Sequence, residues 1–181
     1  MKKTSAAGAR TKQSDSRKGK QASAAKPANE ADAAKQLDGF IRKYTPEMGR
    51  QIRDILARMR AHLPGAFELV YDNYNALAIG FASGDRVRDV IFSIACYPRW
   101  VSLFFFPGVG LEDPAKLLKG NGTKCRHIVL RGPEMLDELD VTALMRQALE
   151  RAGNPIDPRV KARIVIKSVS AKQRPRRPGI P

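Results

Sequence analysis

From Ala33 onward the apolar positions fall at helical spacing: Leu37, Phe40, Ile41 and Tyr44 stand at i, i+3, i+4 and i+7 and predict one face of a short helix. Next comes T-P-E at 45–47, which supplies an N-cap, a proline at the first helical position and an acid in the first turn. Behind it Met48, Ile52, Ile55, Leu56, Met59 and Leu63 hold one stripe while Arg50, Arg53, Arg58 and Arg60 stand off it. A helix is therefore predicted from 46 to 63, stopped by Pro64-Gly65.

The pattern then changes to strand-length apolar runs, Phe67 to Asp72, Ala76 to Phe81, Asp89 to Tyr97 and Trp100 to Phe106. Y-D-N-Y-N at 71–75 separates the first pair, Ser83-Gly84-Asp85 reads as a turn, and Pro98-Arg99 as a tight hairpin. Connections this short force antiparallel pairing, because a parallel crossover needs a dozen or more residues. His127 to Leu130 reads as a further strand, Val141, Leu144, Met145, Ala148 and Leu149 mark a last amphipathic helix, and A-R-I-V-I-K-S-V at 162–169 offers an edge strand. The predicted fold class is α+β: an antiparallel sheet of about five strands, with N-terminal helices and a C-terminal helix packed on it. Trp100, Phe104 and Phe106 alternate with Val101, Leu103 and Phe105, so both sides of that strand are apolar and both are expected to be covered.

Charge divides the chain into parts. The formal net charge is +15, but residues 1–36 carry nine Lys/Arg against three Asp/Glu, and residues 161–181 carry seven against none. The middle is nearly neutral. Residues 1–32 lack aromatic and nearly all branched aliphatic side chains, so they cannot bury enough apolar area to offset their ordering entropy. The expected organisation is a disordered basic arm over 1–32, a domain over 33–169 and a basic Pro/Arg-rich tail over 170–181. M-K-K-T-S-A-A-G-A-R begins like a signal peptide, but no apolar segment follows it, and no run reaches the roughly 18 apolar residues of a membrane span. These features predict a cytoplasmic protein with no membrane partner.

The order of two helices, a strand meander, a glycine-interrupted loop and a closing helix resembles the YdhG-like domain, a bacterial family mostly labelled as of unknown function. The segments that carry the resemblance are F-I-R-K-Y-T-P-E at 40–47, P-G-A-F-E-L-V-Y at 64–71, S-I-A-C-Y-P-R-W-V-S-L-F-F at 93–105 and L-L-K-G-N-G-T-K-C-R-H-I at 117–128. It spans about residues 37–152. The resemblance implies an α+β fold with an antiparallel sheet. It also implies a link to iron, since a bacillus member is described as a frataxin-like iron chaperone. This chain departs from many relatives by carrying Trp100 where they place a histidine.

The residues themselves offer few sites for chemistry. Cys96 and Cys125 lack any C-x-x-C spacing, so neither a zinc knuckle nor a disulfide scaffold is indicated, and no G-x-S-x-G or H-E-x-x-H is present. A binding module is therefore favoured over an enzyme. A loose metal surface would draw on Glu68, Asp72, Asp85 and Asp89. His62, at a helix end, suits the helix dipole better than a metal. G-N-G-T-K at 120–124 lacks the remainder of a Walker motif, so its glycines are expected to serve a turn, with Lys119, Lys124 and Arg126 able to meet an anion. At the Y-D-N-Y-N edge two separate ligand-binding pairs are expected, Glu68 with Asp72 and Tyr71 with Asn73, because alternation puts them on opposite faces. The first functional expectation is thus a module for a small ligand or metal, iron included. The alternative is non-specific association with nucleic acid through the basic tails, driven by charge alone.

Overall fold

A computed structural model describes residues 29–178; residues 1–28 of the arm expected over 1–32 and the last three residues of the tail lie outside them. The first helix, α1 (Glu30–Ile41), starts inside the segment assigned to the arm. The local reason is a cap: the Asn29 side chain accepts a hydrogen bond from the Asp32 backbone N–H at 2.9 Å, and Glu30 and Asp32 put negative charge at the helix's positive end. Helix α2 (Pro46–His62) starts as its sequence predicts, with the Thr45 hydroxyl oxygen accepting from Met48 N–H at 3.2 Å. Gly65 ends the turn after α2 at φ +83°, and a Cβ there would stand 2.1 Å from the Asp157 carbonyl oxygen. Only glycine fits.

Four strands then run as a meander, β1 (Phe67–Asp72), β2 (Leu77–Ala82), β3 (Val90–Cys96) and β4 (Val101–Phe105), each antiparallel to the next. Strand β5 (Arg126–Leu130) adds antiparallel to β4. The chain next forms α3 (Leu139–Glu150) and crosses to the opposite edge, where β6 (Arg163–Val169) joins β1 in parallel. The sheet therefore has six strands in the order β5-β4-β3-β2-β1-β6 and is mixed rather than wholly antiparallel. The long connection between Leu130 and Arg163 is what permits the parallel return. No helix is long and apolar enough to cross a membrane among the described residues.

Register gives the sheet two unlike faces. Ile166, Val70, Ile79, Ile94, Leu103 and Ile128 stand in one cross-strand row over all six strands, all buried. With Phe81, Phe92 and Phe105 one row below, they form a single core with the apolar stripes of α1, α2 and α3. The opposite face carries small residues at its centre, Ala78, Gly80, Ser93, Ala95 and Ser102. Along β4 Val101, Leu103 and Phe105 are fully buried on one side, while on the other Ser102 is buried and Phe104 half-buried; the residues that flank the strand are open, Trp100 at 44% and Phe106 at 43% exposed. The expected burial of Trp100 and Phe106 is therefore corrected. The three helices pack on the other face, and no described helix lies over this one.

Candidate functional site

Two hairpins turn at the same end of the sheet. Asn73 N–H bonds the Ala76 carbonyl at 3.0 Å, leaving Tyr74 and Asn75 as the first tip, and Tyr97 N–H bonds the Trp100 carbonyl at 2.9 Å around Pro98-Arg99. Because β2 and β3 are neighbours, with Leu77 opposite Cys96, the two tips stand side by side. Residues 170–178 pass across this end as a strap. Ser170 N–H donates to the Asp72 carbonyl at 2.8 Å and Arg174 N–H to the Tyr74 carbonyl at 2.9 Å. The stretch read as a tail outside the domain is thus packed on it, through residue 178, and Arg176 is only 4% exposed.

Between the hairpin tips and the strap lies a cleft of about 720 Å³. Its floor holds Tyr97 and Trp100, stacked with ring centroids 4.8 Å apart and planes 21° from parallel. Arg99 contributes from the second hairpin, Asn75 from the first, and Arg174, Pro175, Arg177 and Pro178 from the strap. Three arginines line this space, and among the described residues no Asp or Glu does. Beside it the Arg174 guanidinium lies over the exposed Tyr74 ring, 5.8 Å from its centroid. The arrangement offers flat aromatic surface and positive charge together, the combination that holds a base and its phosphate. A second cleft, of about 400 Å³ beside β6, is lined by Glu30 and Asp85 as well as Arg163, so its charge is mixed.

The residues singled out from the sequence fall elsewhere and are mostly occupied. Glu68 is buried and takes a bidentate ion pair from Arg60 of α2, at 2.7 and 2.8 Å. Asp72, expected with Glu68 as a ligand-binding pair, is fully buried, standing in the apolar row of Leu77, Cys96, Val101 and Leu130. Its carboxylate takes Lys43 Nζ at 2.6 Å and Arg176 Nη2 at 3.0 Å. Both acids are therefore neutralised by their own chain, and a weak oxygen-ligand surface from Glu68, Asp72, Asp85 and Asp89 is not formed. Among the described residues no three His, Cys, Asp or Glu side chains come together in a way that suits a metal ion. His62 bonds Asp137 at 2.9 Å.

Tyr71 and Asn73 do not meet as a site either. Asn73 is exposed, and its carbonyl is taken by Arg176. The Tyr71 hydroxyl is buried without a hydrogen-bond partner among the described residues, and burial raises its pKa. A buried hydroxyl without a partner is a cost, so Tyr71→Phe should raise the unfolding free energy by about 1 kcal/mol. A urea titration checks this; a clear loss of stability would mean that the hydroxyl has a partner.

In the glycine loop, Gly120 takes φ +102° as a turn residue, and the Arg126 guanidinium folds back onto the carbonyls of Gly122 and Cys125. Lys124 is exposed, but its carbonyl accepts from Gly108 and Val109 N–H, so the loop is fastened rather than open. Burial pushes the Cys125 thiol up and, with Lys119 adding to it, the His127 imidazole down. Both shifts favour the neutral forms, which disfavours a thiolate–imidazolium pair. His127 instead stacks on Phe104, with centroids 5.0 Å apart.

The sequence reading missed Trp100, Tyr97, Arg99, Arg174 and Arg177. The available signal was P-R-W beside one turn and R-P-R-R-P at the chain's end. No protein-family model, curated protein or solved structure matches this chain.

Proposed function

We propose that the chain is a YdhG-like α+β domain whose hairpin end and strap bind single-stranded nucleic acid. The order of two helices, meander, glycine-interrupted loop and closing helix supports the domain assignment. The observation that carries the function is the half-exposed Tyr97–Trp100 stack walled by Arg99, Arg174 and Arg177 with no acid among them. Every base has a face that can stack on such a ring, and the guanidinium groups supply charge and hydrogen bonds to phosphate. A duplex keeps its base faces inside and cannot use the Trp100 ring. Charge alone, the basis of the tail-driven expectation, would not discriminate in this way. Iron binding, the other expectation, has no converging ligand set to support it among the described residues.

Trp100 is the only tryptophan in the chain, so its fluorescence reports this cleft directly. Titrating the protein with oligothymidylate of about 12 nucleotides should quench that emission, while a duplex of equal length should leave it nearly unchanged. Three phosphate contacts predict a slope of log affinity against log salt of about −2. Equal quenching by duplex and single strand, or binding indifferent to salt, would refute the proposal.

A further inference from the structure

The strap is held by its side chains more than by its backbone. Arg176 reaches inward past the Tyr44 ring, its Cζ 5.9 Å from the centroid, to Asp72 and to the carbonyls of Asn73 and Tyr74. Gln173 donates to the Asp72 carbonyl at 3.2 Å, and Arg177 Nε donates to the Tyr44 carbonyl at 3.1 Å. None of these bonds belongs to the pairing of β1 with β6, so the strap can lift without opening the sheet.

Asp72 has two cations, and that decides what lifting would cost. An ion pair broken by removing one partner normally leaves a buried charge alone. Here Lys43 approaches from the solvent side, with a side chain 39% exposed, and bonds Gln173 Oε1 of the strap at 2.9 Å as well as Asp72; its charge would still face Asp72 if Arg176 left. Arg176 itself regains water. In the closed state its Nε is buried without a partner among the described residues, which lowers the advantage of closing. Lifting the strap would thus leave neither charge without a partner or water.

We infer that Arg176 is a positioning residue for the cleft: seated on Asp72 it latches residues 170–178 across the hairpin end, completing the cleft wall, and a bound single strand holds the latch closed. The second half rests on the nucleic-acid reading above; the first half does not. Arg174, Pro175, Arg177 and Pro178 all come from the strap, so the cleft exists only when it is down. A ligand that binds only the closed state must stabilise it.

Limited trypsin digestion separates the two halves. Within the strap the susceptible bonds follow Lys172 and Arg176, because Arg174 and Arg177 precede proline. Cutting after Lys172 should be at least about tenfold faster in Arg176→Gln than in the wild type, with Trp100 emission shifted to the red in the absence of nucleic acid. Arg176→Lys keeps the charge and should fall between the two; it also serves if the glutamine variant folds poorly. Oligothymidylate at about ten times its Kd should slow the wild-type cut about tenfold. If the Lys172 bond of Arg176→Gln is as resistant as in the wild type, the latch is overturned whatever the protein binds. If the variant is cut faster but oligothymidylate neither quenches Trp100 nor protects the wild type, the latch stands and the nucleic-acid reading falls. Quenching without protection overturns the coupling between them.

Discussion

Replacing Trp100 with alanine is expected to weaken single-strand binding by roughly 5- to 150-fold, since stacking one base on an aromatic ring contributes about 1–3 kcal/mol. The upper part of that range is favoured by the second ring. Tyr97 backs Trp100 at 4.8 Å and holds the indole in one plane, so little side-chain freedom remains to be lost when a base arrives. Trp100→Phe keeps a smaller ring in the same place and should recover most of the loss. Because Trp100 is nearly half exposed, alanine there should shift the unfolding midpoint only slightly, which separates a binding effect from a folding one. Anisotropy of a labelled oligonucleotide measures the change after the tryptophan is gone. A loss smaller than about twofold would place the bases away from this ring.

Features set by neighbours in sequence were legible, and features set by distant partners were not. Thr45-Pro46-Glu47 and the stripe behind it define α2 locally, and Pro98-Arg99 defines its hairpin. The parallel seat of β6 against β1 depends on which edge the chain reaches after α3, and no local pattern records it. Asp72 shows the same limit in one residue. Beside Asn73 and Asn75 it reads as turn chemistry, while its partners Lys43 and Arg176 lie 29 and 104 residues away. The exposure of Trp100 is hidden from the sequence for another reason. Alternation shows that a strand is apolar on both sides, but the number of layers above each side is a property of the whole fold, and here the helices cover only one. The R-P-R-R-P stretch has the composition of a solvated tail, yet one of its arginines has a buried carboxylate waiting for it.

The support beneath the cleft is expected to fail most severely at Tyr44. This side chain is 1% exposed, and its hydroxyl joins two strands at the end of the sheet: it donates to the Cys96 carbonyl at 2.7 Å and accepts from Leu77 N–H at 3.1 Å. Tyr44→Phe keeps the ring but strips both backbone groups of that partner deep in the core. At about 1–3 kcal/mol for each of the two orphaned groups, the unfolding free energy should fall by about 2–6 kcal/mol. Burial also pushes the Tyr44 phenol well above its ordinary pKa of 10.0, with the Cys96 thiol adding to it. The sign follows from proton counts: above pH 10 the unfolded chain releases this proton and the folded chain keeps it, so stability present below pH 10 drains away as pH rises. Cys96 and Tyr71, whose pKa values burial also raises, act in the same direction. The phenylalanine variant should therefore be less stable at neutral pH yet lose stability more slowly above pH 10, its slope shallower by up to about 1.4 kcal/mol per pH unit. Urea melts at neutral and alkaline pH test both statements; parallel curves for the two proteins would mean that the hydroxyl is ionised or unbonded in the fold. Tyr44 also holds the strap, through its carbonyl to Arg177 and its ring against Arg176, so the bond that closes the end of the sheet lies directly under the wall of the cleft.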